Sequence, residues 1–225
     1  MVIFLLGIKD NGIIFLIMDL IVETEKTIKD YLSASDIINC NDQSIKAKAE
    51  SLTRSCQTVT EKAKVLFEFV RDKISHSFDI QNSEVTYVAS DVLEQGHGIC
   101  FAKSHLLAAM TRVVGIPTGF CYQKLIFDEK IPKPYFTLHG LNAIYLDSHK
   151  KWIRLDARGN KQDVRAEFST KKEQLAFPIR TELGEADYPQ ILSEPSPSII
   201  QCLSSINYWN WEIINKQLPS DLSDR

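Results

Sequence analysis

The residues best suited to nucleophilic chemistry lie in the segment GHGIC at residues 96–100. Its two glycines allow a tight backbone, and Cys100 follows them in the first turn of a predicted helix. Unpaired N–H groups and the positive end of the helix dipole lie in that turn, and both favour a thiolate over a thiol. The same N–H groups can receive the negative oxygen of a tetrahedral intermediate. Most cysteines are only small buried apolar residues. The position of Cys100 therefore makes it a candidate nucleophile and no more than a candidate.

A thiol nucleophile needs a base, and the base needs a group that orients it. His139 lies at the start of one predicted strand, and Asp156 ends the next. Because the midpoint between these two positions falls inside the short polar turn, pairing of the strands would bring the two side chains together. A cysteine at a helix start, with a histidine and an aspartate across one hairpin, indicates a catalytic triad of Cys100, His139 and Asp156.

Several other residues near these motifs have a plainer interpretation. Gln95 lies shortly before the cysteine and could supply an amide that binds an oxyanion. His97 is expected to be a solvated loop histidine, because histidines in loops are commonly exposed. Tyr208, Trp209 and Trp211 are expected to pack against the domain rather than to form a platform for a ligand.

The elements that would position the triad follow from hydrophobic periodicity. Helical spacing predicts helices over residues 44–56, with Asp42 as the cap, over residues 60–74, and from Cys100 to a stop at Gly115, with a short helix after Ser90. Aromatic and β-branched residues predict strands over residues 119–127, 138–146 and 152–155; a further strand could lie at 174–180, and a final helix at 198–205. Helices followed by an antiparallel sheet indicate an α+β fold in which a central helix, with the nucleophile at its N-terminus, packs on the sheet.

Composition excludes several classes of protein. The chain has 225 residues, 44% of them apolar and 24% charged, which disfavours collagen-like, disordered and membrane-spanning proteins. Lys and Arg number 26 against 29 Asp and Glu, a net charge of −3, so no nucleic-acid partner is expected. The five cysteines, at positions 40, 56, 100, 121 and 202, include no C-x-x-C pair. Free thiols in a reducing cytoplasm are therefore expected, and the four cysteines other than Cys100 are expected to be inert.

The amino-terminal segment allows two interpretations. Residues 1–17 contain two apolar runs separated by KDNG, and neither run is long enough to span a membrane. The segment is either an extra hairpin or a leader that precedes a natural start at Met18. Residues 18–225 are expected to form a single domain with its core at about residues 60–160.

Three motifs, in this order, resemble the transglutaminase-like cysteine superfamily. They are Gly-x-Cys at Cys100 followed by RVVGIP at 112–117, His139 before an apolar strand, and Trp152 ahead of Leu155 and Asp156. The resemblance covers about residues 60–160 and implies a papain-like α+β fold, with Cys100, His139 and Asp156 as the triad. It implies no cofactor and no metal, and calcium is not carried over from the animal cross-linking enzymes. One departure is Gly140-Leu141, where the family usually carries an aromatic or Ala-Trp pair.

The resemblance and the triad together predict acyl transfer from an amide of the peptide, glutamine or glycosylamide type, through a thioester on Cys100. Attack by water would make the protein a hydrolase, and attack by an amine would make it a transferase. The expected partner is a peptide or protein amide substrate, with no membrane and no nucleic acid. Two alternatives stay open: a non-catalytic peptide-binding module of the same fold and, ranked lower, an arylamine N-acetyltransferase-like enzyme.

Overall fold

The fold is known from a computed structural model, which describes residues 19–127, 135–209, 213 and 217–222. The predicted leader or hairpin at residues 1–17 therefore lies outside the described residues. In the part of the chain that is described, helices come first and an antiparallel sheet follows them. This order confirms the α+β prediction.

The described helices and strands match the predicted ones closely between residues 43 and 155. The helices are α1 (Gln43–Thr53), α2 (Val59–Lys73), α3 (Ala89–Gln95), α4 (Cys100–Val113) and α5 (Pro197–Ser205). The strands are β1 (Ile21–Val22), β2 (Ser75–His76), β3 (His97–Gly98), β4 (Thr118–Ile126), β5 (Phe136–Leu146), β6 (Lys151–Leu155), β7 (Ala186–Asp187) and β8 (Gln190–Ile191). Short 3₁₀ turns lie at Asp30–Leu32, Asp147–His149 and Thr181–Leu183.

Local sequence signals fix the ends of the first three helices. The Asp42 carboxylate caps α1, as predicted, by accepting hydrogen bonds from two backbone N–H groups of the first turn. Thr58 and Glu61 form a capping box at the start of α2. Gly96 ends α3 in the left-handed conformation, with φ at 71°. Each signal lies within four residues of the end that it fixes, so the sequence alone predicts these boundaries well.

Helix α4 is the centre of the molecule. Every residue from position 101 to position 112 is buried, because α1, α2 and α3 contact α4 as do strands β4 and β5. Leu106 and Met110, which periodicity predicts to face the core, are fully buried. The polar Lys103 and Arg112 are buried on the same helix. A helix enclosed on all sides cannot leave its charged side chains in water, so each of them must find partners inside the protein.

The main sheet has the strand order β6-β5-β4-β7, and all of its strands are antiparallel. Strands β5 and β6 form the predicted hairpin, in which Asn142 pairs with Leu155 and Leu146 pairs with Lys151. Strands β4 and β5 of this sheet pack against α4. No helix within the described residues is long and apolar enough to cross a membrane.

The further strand suggested at residues 174–180 is wrong. The fourth strand of the sheet is β7, which pairs with β4, while Gln174 makes only an isolated bridge to Glu167. Two local features explain why the 174–180 segment joins no ladder. Ala176 donates its backbone N–H to the Asp156 carboxylate, and Pro178 has no N–H to donate.

Candidate active site

Two short strands position the cysteine. Strands β2 and β3 pair in parallel just before α4, with Ser75 beside His97 and His76 beside Gly98. This pairing fixes the backbone two residues before Cys100, which opens α4. The Cys100 side chain is half-buried and lines a cleft. The cysteine thus lies in the first turn of the central helix, as predicted.

His139 is held between the cysteine and the aspartate. Its Nε2 lies 2.8 Å from Oδ2 of Asp156, and Cys100 is near enough to the same ring to influence its pKa. Since Asp156 occupies Nε2, the nitrogen left for the thiol is Nδ1. The edge of the imidazole also packs against the Phe177 ring, with centroids 5.0 Å apart and planes at 88°. The structure therefore brings all three predicted residues together.

Asp156 is completely buried and accepts three hydrogen bonds. Besides His139, the donors are the backbone N–H of Arg158 at 3.1 Å and that of Ala176 at 3.0 Å. The register of the hairpin pairs Asn142 with Leu155. It therefore differs by two residues from a register that would pair His139 directly with Asp156. A shift of two residues keeps a side chain on the same face of a sheet. His139 and Asp156 therefore still contact each other, as diagonal rather than directly opposite neighbours.

The charges of this pair stabilise each other. Burial alone would lower the pKa of His139, but the Asp156 carboxylate and the Cys100 sulfur outweigh burial and raise it to about 10. Burial would raise the pKa of Asp156, yet the charge and hydrogen bond of His139 and the two backbone donors lower it below its usual value. The imidazole is thus held between a carboxylate and a cysteine, the arrangement that a base and a thiol nucleophile require.

The cleft at this site has a volume of about 1150 Å³. Its lining includes Phe78, Asp79 and Asn82 from the segment after β2, and Leu125 and Thr137 from β4 and β5. Cys100 and His139 also line it, whereas Asp156 is completely buried and is reached through its hydrogen bond to the histidine. Of the three triad candidates, only Cys100 and His139 therefore line the cleft.

Two of the secondary candidates have a different place from the one expected. Gln95 is exposed at the end of α3 and does not line the cleft, so it is not brought to the triad. The expectation that His97 is solvated is wrong, because only 4% of it is exposed. Its ring lies 3.0 Å from both Ser77 Oγ and Asn82 Nδ2. His97 therefore ties the loop after β2 to the residues that precede α4, a tertiary contact that no local pattern announces.

The aromatic residues near the carboxyl end differ from one another. Trp209 is 6% exposed and packs edge-on against Phe78 at 5.5 Å, as expected of a packing residue. Tyr208 is 56% exposed, so the packing prediction is wrong for this residue. Trp211 lies outside the described residues. All five cysteines are free, with Cys121 and Cys202 buried.

Gly140 explains the departure of this sequence from the usual family pattern. A Cβ at Gly140 would lie only 2.5 Å from Cδ1 of Phe101, the residue after Cys100. The Phe101 ring occupies the space in which a larger residue after the histidine would begin, and it packs against Tyr122 at 6.3 Å. The glycine thus lets β5 approach the first turn of α4 closely.

Two residues of the site escaped prediction from the sequence. His76 is 8% exposed, lines the cleft, and has no partner for Nδ1 among the described residues. Lys103 lies one turn after Cys100 and is fully buried. A lysine inside an otherwise apolar helical run is the signal that could have marked the second. Across the described ranges, no group of three or more His, Cys, Asp or Glu residues could hold a metal ion.

Comparison with known proteins adds a family match and several structural likenesses. Residues 46–157 match the family model of the transglutaminase-like superfamily. The chain is similar to a candidate cysteine protease from Cytophaga hutchinsonii, at 20% identity and a TM-score of 0.46, over 58% of this chain and 42% of that one. It is also similar to a candidate protease from Parabacteroides distasonis, at 15% identity and a TM-score of 0.39, over 68% of this chain and 32% of that one.

A third similar structure is that of a TGase, at 20% identity and a TM-score of 0.34, over 66% of this chain and 36% of that one. The chain therefore spans less than half the length of each of these three proteins. No curated protein matches the chain.

Proposed function

This chain belongs to the transglutaminase-like superfamily, and from that membership and the contacts in its cleft we propose that it is a cysteine-dependent acyl-transfer enzyme. The acyl group comes from an amide and is carried as a thioester on Cys100. The observation that carries the proposal is that one imidazole is hydrogen-bonded to a fully buried carboxylate and shares the cleft lining with a half-buried cysteine at a helix start, whose sulfur raises the pKa of the imidazole. A binding module would have no need of that arrangement.

The proposed reaction begins with proton transfer from the Cys100 thiol to His139. The sulfur attacks the amide carbon, a C–S bond forms, and the carbonyl oxygen becomes an oxyanion. As this intermediate collapses, the C–N bond breaks and the imidazolium gives its proton to the leaving amine. Water or a second amine then loses a proton to His139, attacks the thioester and releases the thiol. Asp156 keeps the imidazole in the tautomer and orientation that these transfers require.

The oxyanion needs hydrogen-bond donors. The backbone N–H of Cys100 is one, because N–H groups in the first turn of a helix have no partner within that helix. For the second donor we assign His76, which lies beside Gly98 in the β2–β3 pair. Burial, and then the charge of Arg158, lower the pKa of His76 well below its ordinary value. A neutral ring can donate one N–H without adding a positive charge that would compete with the imidazolium.

The cleft supports a peptide or protein amide as the substrate. Its volume of about 1150 Å³ exceeds the roughly 300–1,000 Å³ of small-molecule sites. Its lining combines aromatic and aliphatic side chains, including Phe78, Leu125 and Phe177, with charged ones such as Asp79 and Arg158. A mixed lining of this kind suits the side chains and backbone of a polypeptide better than a single small metabolite.

The test is to incubate the protein with a peptide library and with p-nitrophenyl acetate, and to look for acylation by mass spectrometry. An acyl adduct on Cys100, absent in Cys100→Ser, is the expected result. Cys56→Ser is the matched control, because Cys56 is also half-buried and free. If Cys100 takes up no acyl group and alkylates no faster than Cys56, the enzyme proposal fails and a peptide-binding module takes its place.

The role of His76 is tested separately. His76→Ala should slow acylation by p-nitrophenyl acetate about a hundredfold, because one donor to the oxyanion is lost. Alkylation of Cys100 by iodoacetamide forms no oxyanion, so its rate should stay unchanged. Equal loss in both reactions would contradict the assignment and would show that His76 orients the cysteine instead.

A further inference from the structure

Lys103 lies where the end of α2, the approach to β2 and the loop after Asp156 meet the helix that carries Cys100. It follows Cys100 by three residues on α4 and none of it is exposed. Its Nζ donates to the carbonyl of Ile74 at 2.5 Å, to that of Arg158 at 3.0 Å and to that of Arg71 at 3.3 Å. An ammonium group has three N–H donors, so this set of acceptors uses all of them.

Two of these carbonyls belong to segments that lead into the active site. Ile74 directly precedes β2, the strand that ends at His76. Arg158 follows Asp156 by two residues and gives that carboxylate its backbone N–H. One side chain on the nucleophile's own helix thus holds both the approach to His76 and the loop that carries the aspartate.

The loop after Asp156 is shaped around this ammonium group. Gly159 has a φ of 108°, a conformation that other residues rarely adopt. A Cβ there would lie 3.2 Å from the Arg71 carbonyl oxygen and 3.3 Å from Lys103 Nζ. The glycine therefore allows the chain to close over the lysine, and the two residues form one junction.

We propose that Lys103 is a positioning residue that locks the Asp156 loop to the nucleophile helix and thereby sets the orientation of His139 toward Cys100. The inference rests on the proposed function, since it concerns the same triad. Without the ammonium group, three backbone carbonyls lose this donor and the loop is no longer tied to α4. The carboxylate then shifts relative to the imidazole, although neither residue has been changed.

The electrostatic surroundings agree with this role. Burial, and then the charge of Arg158, lower the pKa of Lys103 to about 7, while Asp156, Asp79 and Asp72 act to raise it. A buried charge with so large a desolvation cost is a poor choice for stability alone, because an apolar residue of similar volume often serves as well. The three carbonyls explain why a donor is needed at this position.

The experiment compares Lys103→Met with Arg112→Met in the full chain. Arg112 is a matched control, because it is buried on the same helix and likewise donates to three backbone carbonyls, those of Ser33, Thr118 and Ser193, far from the triad. Both variants should lower the thermal midpoint. Lys103→Met should also slow acylation by p-nitrophenyl acetate and alkylation at pH 6 by about a hundredfold, the usual cost of a misplacement near 1 Å, whereas Arg112→Met should leave both rates within about threefold.

A double-mutant comparison tests whether the lysine acts through the aspartate. In an Asp156→Asn background, Lys103→Met should slow acylation by less than about threefold more, because both changes disable one unit. Multiplicative effects would overturn the proposal, as would equal losses of rate in Lys103→Met and Arg112→Met. Wild-type protein that forms no adduct on Cys100 would instead refute the proposed function itself.

A second variant keeps the test decisive if Lys103→Met does not fold. Gly159→Ala disturbs the same junction without removing the charge, and Gly115→Ala is its control, since Gly115 has a φ of 77° and no neighbour within 4 Å of its Cβ position. We expect slowed acylation in Gly159→Ala only. Unchanged acylation in a folded Gly159→Ala protein would count against the proposal.

Discussion

Replacing Asp156 by Asn separates the charge of this residue from its shape. The carboxylate accepts from His139 and Ala176 through Oδ2 and from Arg158 through Oδ1. An asparagine can place an oxygen at only one of those two positions, and its NH₂ group then faces N–H donors at the other. If the NH₂ group faces His139, the imidazole must accept at Nε2, which puts the proton on the nitrogen that should receive one from the thiol.

The size of the effect follows from these contacts. One buried N–H group left without an acceptor costs about 1–3 kcal/mol, which lowers the thermal midpoint of a chain of this size by about 2–12 °C. Loss of the carboxylate also leaves the burial of His139 opposed only by Cys100, so the pKa of His139 falls from about 10. A fall of one pKa unit lowers the ratio of charged to neutral imidazole about tenfold at a given pH. The wrong tautomer should reduce turnover by about a thousandfold or more.

The assay measures turnover of p-nitrophenyl acetate, alkylation of Cys100 at pH 6 and the thermal midpoint on the same preparations. Asp187→Asn is the control, because Asp187 is a carboxylate of the same sheet that is fully engaged with Arg154, at 2.6 and 2.8 Å, rather than with the triad. It should lose stability but keep its turnover. If Asp156→Asn turns over within about threefold of wild type, or no more slowly than Asp187→Asn, the triad reasoning is refuted.

Three further results are expected. His139→Ala should be less stable than wild type below pH 6.5, and this difference should disappear as the pH rises from 6.5 to 10. The reason is that the raised pKa of His139 stabilises the folded state fully below the unfolded value of 6.5 and no longer does so above about 10. A difference in stability that does not depend on pH would contradict this prediction. Gly140→Ala should lower the thermal midpoint by about 2–12 °C, since its Cβ would lie 2.5 Å from Phe101 and overpacking costs about 1–3 kcal/mol; calorimetry would show an unchanged midpoint if the ring can move freely. Cys121, whose burial raises its pKa to about 12, should resist iodoacetamide at pH 8 until denaturant is added, and labelling of the native protein would be the contrary finding.

Local signals account for what the sequence predicts correctly. The caps at Asp42 and Gly96 lie within the elements' own ends, and the apolar spacing of Leu106 and Met110 reports a buried helix directly. The contact between His139 and Asp156 could be predicted for a related reason. In a hairpin with a short turn, residues at similar distances from the turn lie directly or diagonally opposite each other. His139 and Asp156 therefore meet even though the register differs by two residues from direct pairing.

What the sequence does not reveal depends on contacts between distant segments. His97 looks like a loop histidine, but it is buried because the loop of Ser77 and Asn82 folds back over it. Lys103 interrupts an apolar pattern, and its three acceptors lie on chain segments 29 to 55 residues away. No local periodicity specifies those acceptors, since they are backbone carbonyls that every residue possesses.

Asp156 holds the imidazole through two routes at once, which links the failed strand prediction to the site. It accepts from His139 directly, and it also accepts the backbone N–H of Ala176. The next residue, Phe177, packs its ring against the edge of the same imidazole. Ala176 donates its N–H to this carboxylate instead of to a neighbouring strand. The same hydrogen bond that keeps the 174–180 segment out of the sheet therefore places an aromatic wall beside the proposed base, and one buried carboxylate sets both the charge and the packing of His139.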